Sequence, residues 1–179
     1  MIDFLVNRKN ERFHLLIASI DKLCPEGISK RQKEALSSTK IINTIFPNDD
    51  LNHDEFGAPT LSNGKAISIS HTNDYISILI SNKLASIDIE PIGHKALKTA
   101  TKFLNKKELE LATSIEKATL FWSAKECLYK IHKKGGLTFT TDLRINSIEE
   151  NQMECFIFDK SFMLNYEKYN DHWLVYYFD

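Results

Sequence analysis

Two carboxylates alternate with two isoleucines in the short segment Ser86-Ile87-Asp88-Ile89-Glu90. Successive side chains of a β-strand point to opposite faces, so the alternation predicts a strand with the isoleucines on one face and Asp88 and Glu90 on the other. Any fold for this chain must therefore bury one face of this strand. The two acids are open to two interpretations, because neighbouring carboxylates on a strand are more often a solvated face than a site.

A second segment, Trp122-Ser123-Ala124-Lys125-Glu126-Cys127-Leu128-Tyr129-Lys130, is predicted to be helical. Residues four apart lie on one side of a helix, which puts Trp122, Glu126 and Lys130 in one row. If this helix packs beside the Asp88 strand, three carboxylates and one lysine converge. Such a cluster repels itself unless a hard cation such as Mg²⁺ lies in it. The alternative for Glu126 and Lys130 is an ordinary ion pair on the helix surface.

Length and composition limit the class of protein. The chain has 179 residues and 42% hydrophobic content, enough for one good core or two small ones. A net charge of −1, from 23 basic and 24 acidic side chains, disfavours a nucleic-acid partner. The three cysteines have no CxxC spacing and are expected to be reduced. Without a signal-peptide pattern or a membrane-spanning apolar stretch, we expect a soluble, cytoplasmic protein with no membrane partner.

Two helices are predicted near the start of the chain, after a short strand at residues 2–6. Apolar residues at helical spacing from Phe13 to Ile20 predict the first helix. Ser29 followed three residues later by Gln32 is a capping-box pattern and predicts the start of the second helix. A proline soon after this helical pattern is expected to end it.

A three-stranded antiparallel meander is predicted after a long loop. Residues 47–64 are rich in Asn, Asp, Gly and Pro, which is the composition of a loop. Strands are expected at residues 66–70 and 75–81, and a turn at residues 82–83 leads to the Asp88 strand. Because consecutive strands joined by tight turns usually pair, these three strands are predicted to form one sheet.

The second half is predicted to repeat the order of helices followed by strands. After shorter helices, a long helix is expected from about Ser114 to Lys134, with Gly135-Gly136 as its C-terminal stop. Four strands follow, at residues 143–145, 153–158, 162–166 and 173–178. The predicted class is α+β, with two similar pseudo-twofold-related halves, residues 1–86 and 87–179, each with helices packed on a small antiparallel sheet.

Basic residues outside the cluster have ordinary explanations. A histidine such as His71, at a strand end before a turn, is more often a turn residue than a ligand, although with Lys65 it can help to hold an anion. By composition alone, the predicted second helix has an ordinary solvated face with the basic residues Lys30, Arg31, Lys33 and Lys40.

The sequence shows no Ser/His/Asp or Cys/His arrangement that would supply a catalytic nucleophile. Metal-assisted phosphoryl transfer to an external nucleophile therefore fits the residues best.

Taken together, these segments resemble the 4'-phosphopantetheinyl transferase superfamily, in particular its larger, single-chain, two-lobed branch. The matching segments are the Arg31 helix, Phe56-Gly57-Ala58-Pro59, Ile69-Ser70-His71-Thr72, Ile87-Asp88-Ile89-Glu90, Lys102-Phe103-Leu104 with Glu108, Trp122-Ser123-Ala124-Lys125-Glu126 to Lys130, and Gly135-Gly136-Leu137. The specific part is the ordered pair Ile-Asp-Ile-Glu and Trp-Ser-x-Lys-Glu-x-x-x-Lys, with Ser-His-Thr upstream.

The resemblance implies a fold and an activity. It implies the Mg²⁺-dependent transfer of the 4'-phosphopantetheine group from coenzyme A to a serine of an apo acyl or peptidyl carrier protein, with release of adenosine 3',5'-bisphosphate. An enzyme of this kind is a holo-[acyl-carrier-protein] synthase. Because the attacking hydroxyl belongs to the carrier, the resemblance also explains why the chain offers no nucleophile. Two similar halves in one chain make a monomer the simpler expectation.

The resemblance implies roles for individual residues. Asp88, Glu90 and Glu126 match the Mg²⁺ ligands. Glu126 also matches the base for the incoming serine, directly or through a metal-bound water, and Lys130 matches the group that stabilises or protonates the departing phosphate. The residues expected to contact coenzyme A, with the N-terminal half taking its 3'-phosphate side, are His71, Thr72, Arg31, Lys40 and Lys65. Those expected to support the site are Glu108 and Trp122.

The chain departs from the family pattern at Ala58, where a lysine is usual, at Thr39, where an arginine is frequent, and at Ser86, where a glycine is common. The first two are phosphate-binding positions, and Lys65 or Lys40 can compensate for them. Two alternatives remain open. One is a non-catalytic relative that binds carrier proteins as a scaffold. The other is a Mg²⁺ nuclease built on the same acids and lysine, which the near-neutral charge disfavours.

Overall fold

The computed structural model describes residues 2–179, which divide into two units. Unit 1 consists of Met1–Ile87 with Phe178–Asp179, and unit 2 consists of Asp88–Tyr177. The chain therefore passes from one unit to the other directly before Asp88. Within the described residues, no helix is both long and apolar enough to cross a membrane.

Unit 1 is built on a four-stranded sheet in the order β1-β2-β6-β5. Its elements are β1 (Val6–Lys9), β2 (Phe13–Ser19), α1 (Ile20–Leu23), α2 (Lys30–Ile45), β3 (Leu51–His53), β4 (Pro59–Leu61), β5 (Ala66–His71) and β6 (Tyr75–Ser81). Helix α2 packs Ile41 and Ile42 into one apolar cluster with Ile76 and Ile78 of β6. The sheet and α2 thus share the core of this unit.

The predicted first helix is wrong, because Phe13–Ser19 is the central strand β2 and only Ile20–Leu23 is helical. Residues Leu15 to Ala18 are almost completely buried, since β2 lies between β1 and β6 and both its faces are covered. A continuous apolar run of this kind contains helical spacings by coincidence. The strand before it begins at Val6, later than predicted.

The predicted start of the second helix is confirmed. The Ser29 side chain accepts a hydrogen bond from the Gln32 backbone, and the Gln32 side chain accepts one from the Ser29 backbone at 2.9 Å. The following segment is not a plain loop, because β3 and β4 form a two-stranded hairpin within it. Asp54 closes this hairpin by accepting hydrogen bonds from the backbone N–H groups of Phe56 and Ala58, both at 2.9 Å.

The predicted meander is wrong in its third strand. β5 and β6 pair in antiparallel fashion as predicted, but the other neighbour of β6 is β2. The apolar run of β2 needs a position that is covered on both faces, and it finds one beside β6. Strand β7 (Ala85–Pro91), which contains Asp88 and Glu90, belongs instead to the second sheet.

Unit 2 combines three helices with a five-stranded sheet in the order β7-β11-β10-β9-β8. Its further elements are α3 (His94–Thr99), a 3₁₀ turn (Ala100–Lys102), α4 (Lys106–Leu111), α5 (Ile115–His132), β8 (Leu143–Ile148), β9 (Gln152–Ile157), β10 (Lys160–Tyr169) and β11 (His172–Phe178). Helix α5 packs against β8 and β9 through buried residues such as Phe121 and Leu128. The predicted long helix and the four strands after it are confirmed.

The α+β class is confirmed in its general form, as a mixed fold with several antiparallel sheets and few helices. Unit 1 begins with two strands and not with helices, so the predicted order of elements is wrong there. The pseudo-twofold relation, the functional division between the halves and the monomeric state stay predictions.

Candidate active site

Strand β7 holds the two alternating carboxylates. Ile87 and Ile89 are fully buried on one face, as the alternation predicts. The acid face is not solvated, because Asp88 is only 3% exposed and Glu90 is half-buried. A carboxylate this buried needs partners that offset the loss of hydration.

Both oxygens of Asp88 accept hydrogen bonds from helix α5. The hydroxyl of Ser123 donates to Oδ2 at 2.8 Å, and the ammonium group of Lys130 donates to Oδ1 at 2.7 Å. Lys130 keeps 26% of its side chain exposed. The strand and the helix therefore meet at Asp88, and one cation is already in place beside it.

Glu90 is held by an aromatic partner. The indole Nε1 of Trp122 donates to Oε1 of Glu90 at 3.1 Å. The indole ring packs edge-on against Phe103 and stacks with Phe139, with centroid distances of 5.0 and 5.7 Å. Burial and the negative charge of Asp88 raise the pKa of Glu90, and the hydrogen bond from Trp122 opposes that rise.

The Glu126 carboxyl has a strongly raised pKa. Burial, followed by the charge of Asp88, raises the pKa of Glu126 to about 7. Glu90 adds to this rise, while the ammonium groups of Lys130 and Lys95 oppose it. At neutral pH the carboxyl is therefore present in both protonation states, which suits a group that accepts and releases protons.

The register of helix α5 explains how these groups converge. Ser114 begins the helix by accepting a hydrogen bond from the backbone of Lys117 at 3.1 Å. From there, Ser123, Glu126 and Lys130 follow at spacings of three and four residues, so they lie on one side of the helix. Helical spacing from Glu126 identifies Ser123 as a member of this row, but sequence reasoning had missed it.

Glu108 and Lys125 form a separate, buried ion pair. The ammonium group of Lys125 donates to Oε2 of Glu108 at 2.6 Å and to the carbonyl oxygens of Phe103, Phe139 and Leu143 at 2.8 to 3.0 Å. Glu108 also completes a capping box with Asn105. Burial lowers the pKa of Lys125, and its bond to Glu108 opposes that effect. The pair thus connects the elements around α5, while Glu126 and Lys130 contribute to the carboxylate cluster.

The donors of the carboxylate cluster suit a hard divalent cation. Asp88, Glu90 and Glu126 offer only oxygen ligands, and burial, followed by the charge of Asp88, raises the pKa of the latter two. Within residues 2–179, no group of three or more His, Cys, Asp or Glu side chains is arranged as a metal site. Asp88 already accepts one hydrogen bond at each of its oxygens, from Ser123 and from Lys130.

Unit 1 contains a cavity of about 530 Å³ lined by Arg31, Ser38, Thr39, His53 and His71, among others. The Ser38 hydroxyl donates to the carbonyl of Glu34 at 2.7 Å, and it lies 3.2 Å from Nε2 of His71. Sequence patterns do not identify His53, because the composition of residues 47–64 predicts a loop and not the hairpin of β3 and β4 that positions it.

The other predicted coenzyme A contacts have partners of their own in unit 1. The hydroxyl of Thr72 accepts hydrogen bonds from the backbones of Asp74 and Tyr75, which shape the turn after β5. Lys40 donates to the carbonyl of Leu23 at 2.7 Å and lines a different cavity. Lys65 donates to the side chain of Asn82 at 3.2 Å. Of the predicted set, Arg31 and His71 are the two that line the larger cavity.

Comparison with protein families identifies a match in the second half of the chain. A family model described as the 4'-phosphopantetheinyl transferase superfamily matches residues 86–176, about half of the chain. No curated protein matches it. The matched residues begin at the strand that carries Asp88 and include the whole of α5 with Glu126 and Lys130. The chain therefore belongs to the 4'-phosphopantetheinyl transferase superfamily.

Proposed function

We propose that this protein transfers the 4'-phosphopantetheine group of coenzyme A to a serine hydroxyl of an apo acyl or peptidyl carrier protein. The reaction depends on Mg²⁺ and releases adenosine 3',5'-bisphosphate. Membership of the superfamily supports phosphopantetheine transfer in general. The observation that carries the specific proposal is the cluster of Asp88, Glu90 and Glu126 with Lys130 inside the matched residues.

The carboxylates supply the metal site in this proposal. Asp88, Glu90 and Glu126 would hold Mg²⁺, which when bound would neutralise the diphosphate of coenzyme A. The oxygen-only donor set of these three carboxyls supports this role, because oxygen ligands are those that Mg²⁺ prefers. Trp122 holds the Glu90 carboxyl through its indole hydrogen bond.

In the proposed transfer step, Glu126 accepts the proton of the serine hydroxyl, and Lys130 stabilises the negative charge of the departing phosphate. The serine hydroxyl of the carrier loses its proton to the Glu126 carboxylate while its oxygen attacks the phosphorus on the pantetheine side of the diphosphate. The bond from that phosphorus to the bridging oxygen breaks, and adenosine 3',5'-bisphosphate leaves. The Lys130 ammonium group, one helical turn further on, stabilises the departing phosphate.

The cavity of unit 1 is the proposed site for the 3'-phosphate end of coenzyme A. Arg31 and His71 bring positive or hydrogen-bonding groups to it, and His53 adds a third. Thr72 supports the site by shaping the turn that follows His71. It stays a prediction that Lys40 or Lys65 compensates for the phosphate-binding cations missing at Ala58 and Thr39. Glu108 supports the site through its ion pair with Lys125.

The proposed compartment is the cytoplasm, which supplies coenzyme A and carrier proteins.

The direct test is a transfer assay. The protein is incubated with coenzyme A, Mg²⁺ and a panel of apo carrier proteins, and each carrier is then weighed by mass spectrometry. We expect a gain of one phosphopantetheinyl group that EDTA abolishes. Asp88→Ala and Glu126→Ala should each lose about 100-fold or more of the rate, because each removes a ligand or the base.

Glu110→Gln is the matched control for these variants, because Glu110 is an exposed acid of unit 2 on α4. It should transfer at the wild-type rate. Wild-type rates in Asp88→Ala or Glu126→Ala would contradict the metal assignment. No mass gain across a broad panel, together with carrier binding, would instead support the non-catalytic scaffold.

A further inference from the structure

Phe139 belongs to the segment that follows helix α5 and returns to pack against that helix. Gly135 and Gly136 have backbone φ angles of 67° and 74°, which glycine adopts without steric cost and which allow the chain to turn after the helix. The Phe139 ring stacks with the indole of Trp122 at a centroid distance of 5.7 Å and tilts against the ring of Tyr129 at 5.4 Å. The turn therefore places one aromatic ring on two rings of the helix itself.

One buried lysine fixes the backbones of both phenylalanines that contact the indole of Trp122. The ammonium group of Lys125 donates to the carbonyl oxygens of Phe103 and Phe139, both at 2.8 Å. The Phe103 ring meets the indole edge-on at an interplanar angle of 70°, whereas the Phe139 ring lies at 27° to it. Edge-on and stacked contacts are the arrangements that aromatic rings prefer. Two rings in different orientations thus restrict the rotation of the indole.

This restriction acts on Glu90, because the indole has a single hydrogen-bond donor. Nε1 of Trp122 donates to Oε1 of Glu90 at 3.1 Å, and both side chains are half-buried. A half-buried glutamate has several rotamers open to it, so displacement of the indole would release its carboxyl. The position of the Phe139 ring is thereby transmitted to Glu90 through Trp122.

We propose that Phe139 is a positioning residue of the carboxylate cluster, which holds the Trp122 indole against Glu90 and so keeps that carboxyl oriented to bind Mg²⁺. The proposal rests on the proposed function, since it takes Glu90 as a metal ligand. Removal of a hydrogen-bonding partner of a metal-ligating side chain weakens metal binding by about 10- to 100-fold. Phe139 acts one contact further from the metal, so the effect of its removal should be smaller.

The test compares the Mg²⁺ affinity of variants by isothermal titration calorimetry. Phe139→Leu removes the ring but keeps the backbone carbonyl that Lys125 binds. We expect Phe139→Leu to bind Mg²⁺ about fivefold more weakly than the wild type, and Trp122→Phe, which lacks the indole N–H, about tenfold more weakly. Phe139→Tyr keeps an aromatic ring in place and should retain the wild-type affinity.

A double-mutant cycle determines whether Phe139 acts through Trp122. In the Trp122→Phe background the hydrogen bond to Glu90 is already lost, so Phe139→Leu should weaken Mg²⁺ binding no further. A merely structural role of Phe139 would instead weaken binding equally in both backgrounds. That result would overturn the proposal, and so would a wild-type affinity in Phe139→Leu.

Tryptophan fluorescence measures the restriction of the indole directly. The chain has two tryptophans, so Trp173→Phe leaves Trp122 as the sole emitter. In this background and without metal, Phe139→Leu should lower the steady-state anisotropy of Trp122 and increase its quenching by acrylamide. Unchanged anisotropy and quenching would overturn the proposal, because they would show that the indole does not depend on the Phe139 ring.

Phe162→Leu is the matched control, because Phe162 is a buried phenylalanine of unit 2 whose ring packs edge-on against Tyr177 at 5.4 Å. It should lower the free energy of unfolding but leave the Mg²⁺ affinity and the Trp122 anisotropy unchanged. If Phe162→Leu weakened Mg²⁺ binding as much as Phe139→Leu, the proposal would be overturned, since the effect would come from lost packing in general.

The binding and fluorescence measurements separate this proposal from the proposed function, because they need neither a carrier protein nor turnover. If the protein transfers no group but Phe139→Leu weakens Mg²⁺ binding as expected, the transfer activity fails and the role of Phe139 stands. If transfer occurs while Phe139→Leu binds Mg²⁺ like the wild type, the role of Phe139 fails alone. In the active enzyme, Phe139→Leu should raise the Mg²⁺ concentration for half-maximal rate about fivefold, with little change in kcat at saturating Mg²⁺.

Discussion

At the scale of single residues, Glu126 carries the chemistry that sequence reasoning can least anticipate. The motif around Glu126 identifies it as a candidate base, but a motif contains no information on hydration. Its pKa of about 7 follows from burial and from the charges of Asp88 and Glu90, which come from a strand more than 30 residues earlier. A free glutamate would be almost fully ionised at neutral pH and would be a weak base.

The raised pKa of Glu126 predicts how stability depends on pH in the absence of metal. Between the unfolded value of 4.5 and the folded value of about 7, the folded state binds more protons than the unfolded state. The free energy of unfolding should therefore fall as pH rises through this window. Glu126→Gln removes this contribution, about 1–2 kcal/mol after allowance for partial exposure, and should flatten the profile.

Thermal unfolding in EDTA from pH 4.5 to 8 measures this difference, and Glu110→Gln serves as the control because Glu110 is an exposed acid. The control should follow the wild-type profile. If Glu126→Gln showed the same fall in stability between pH 5 and 7 as the wild type, the raised pKa of Glu126 would be refuted.

The two acids of β7 show how far single residues are predictable. Their alternation with isoleucines correctly indicates which face each side chain takes. It cannot indicate that the acid face is covered, because cover comes from α5, whose Ser123 and Lys130 contact Asp88. Burial thus depends on a packing partner that is distant in sequence, and local periodicity does not report it.

At the scale of elements, local signals were reliable and long-range pairings were not. The Ser29 capping box and the long helix depend on residues a few positions apart, and both were predicted. Strand β2 was mistaken for a helix because a run buried on both faces has no distinctive period. The place of β7 was missed because its neighbour β11 lies about 80 residues away in sequence, beyond the reach of any turn signal.

Helix α5 depends on a buried ion pair that lies beside the cluster. Lys125 is fully buried, and its ammonium group bonds to Glu108 and to three carbonyl oxygens. Lys125→Met should lower the free energy of unfolding by about 3–5 kcal/mol, because it leaves the Glu108 carboxylate buried without its cation. Chemical denaturation monitored by circular dichroism measures the loss.

Two further variants test whether the loss of stability comes from the unpaired Glu108 charge. Lys117→Met changes a more exposed lysine of the same helix and should cost less than 1 kcal/mol. The double variant Lys125→Met with Glu108→Gln should be more stable than Lys125→Met alone, since it removes the unpaired charge. Equal stability of Lys125→Met and Lys117→Met would show that the ion pair does not support α5.

At the scale of the whole molecule, the groups suited to anions and to metal are divided between the two units. The carboxylate cluster with Lys130 belongs to unit 2, and the cavity lined by Arg31, His53 and His71 belongs to unit 1. The family match begins at residue 86 and leaves out almost all of unit 1. The sequence resemblance predicts phosphate-binding cations at the positions of Ala58 and Thr39, and both residues belong to unit 1, where Thr39 lines the cavity.

This division predicts that the two units respond to different parts of coenzyme A. If the cavity of unit 1 binds the 3'-phosphate, His71→Ala should raise the KM for coenzyme A about tenfold, because it removes a hydrogen-bonding group of the cavity. The same variant should leave the KM for dephospho-coenzyme A, which lacks that phosphate, close to the wild-type value. Asp88→Ala should instead impair both substrates alike, since both carry the diphosphate. Steady-state transfer kinetics with the two substrates measure the contrast.

His14→Gln is the matched control for His71→Ala, because His14 belongs to the same unit and its ring bonds to Asn7 on the neighbouring strand at 2.8 Å. It should change neither KM. An equal rise of KM for both substrates in His71→Ala would mean that this histidine acts on something other than the 3'-phosphate. A KM for coenzyme A that stays at the wild-type value would remove the cavity of unit 1 from substrate recognition, and the recognition would then have to come from the residues of unit 2.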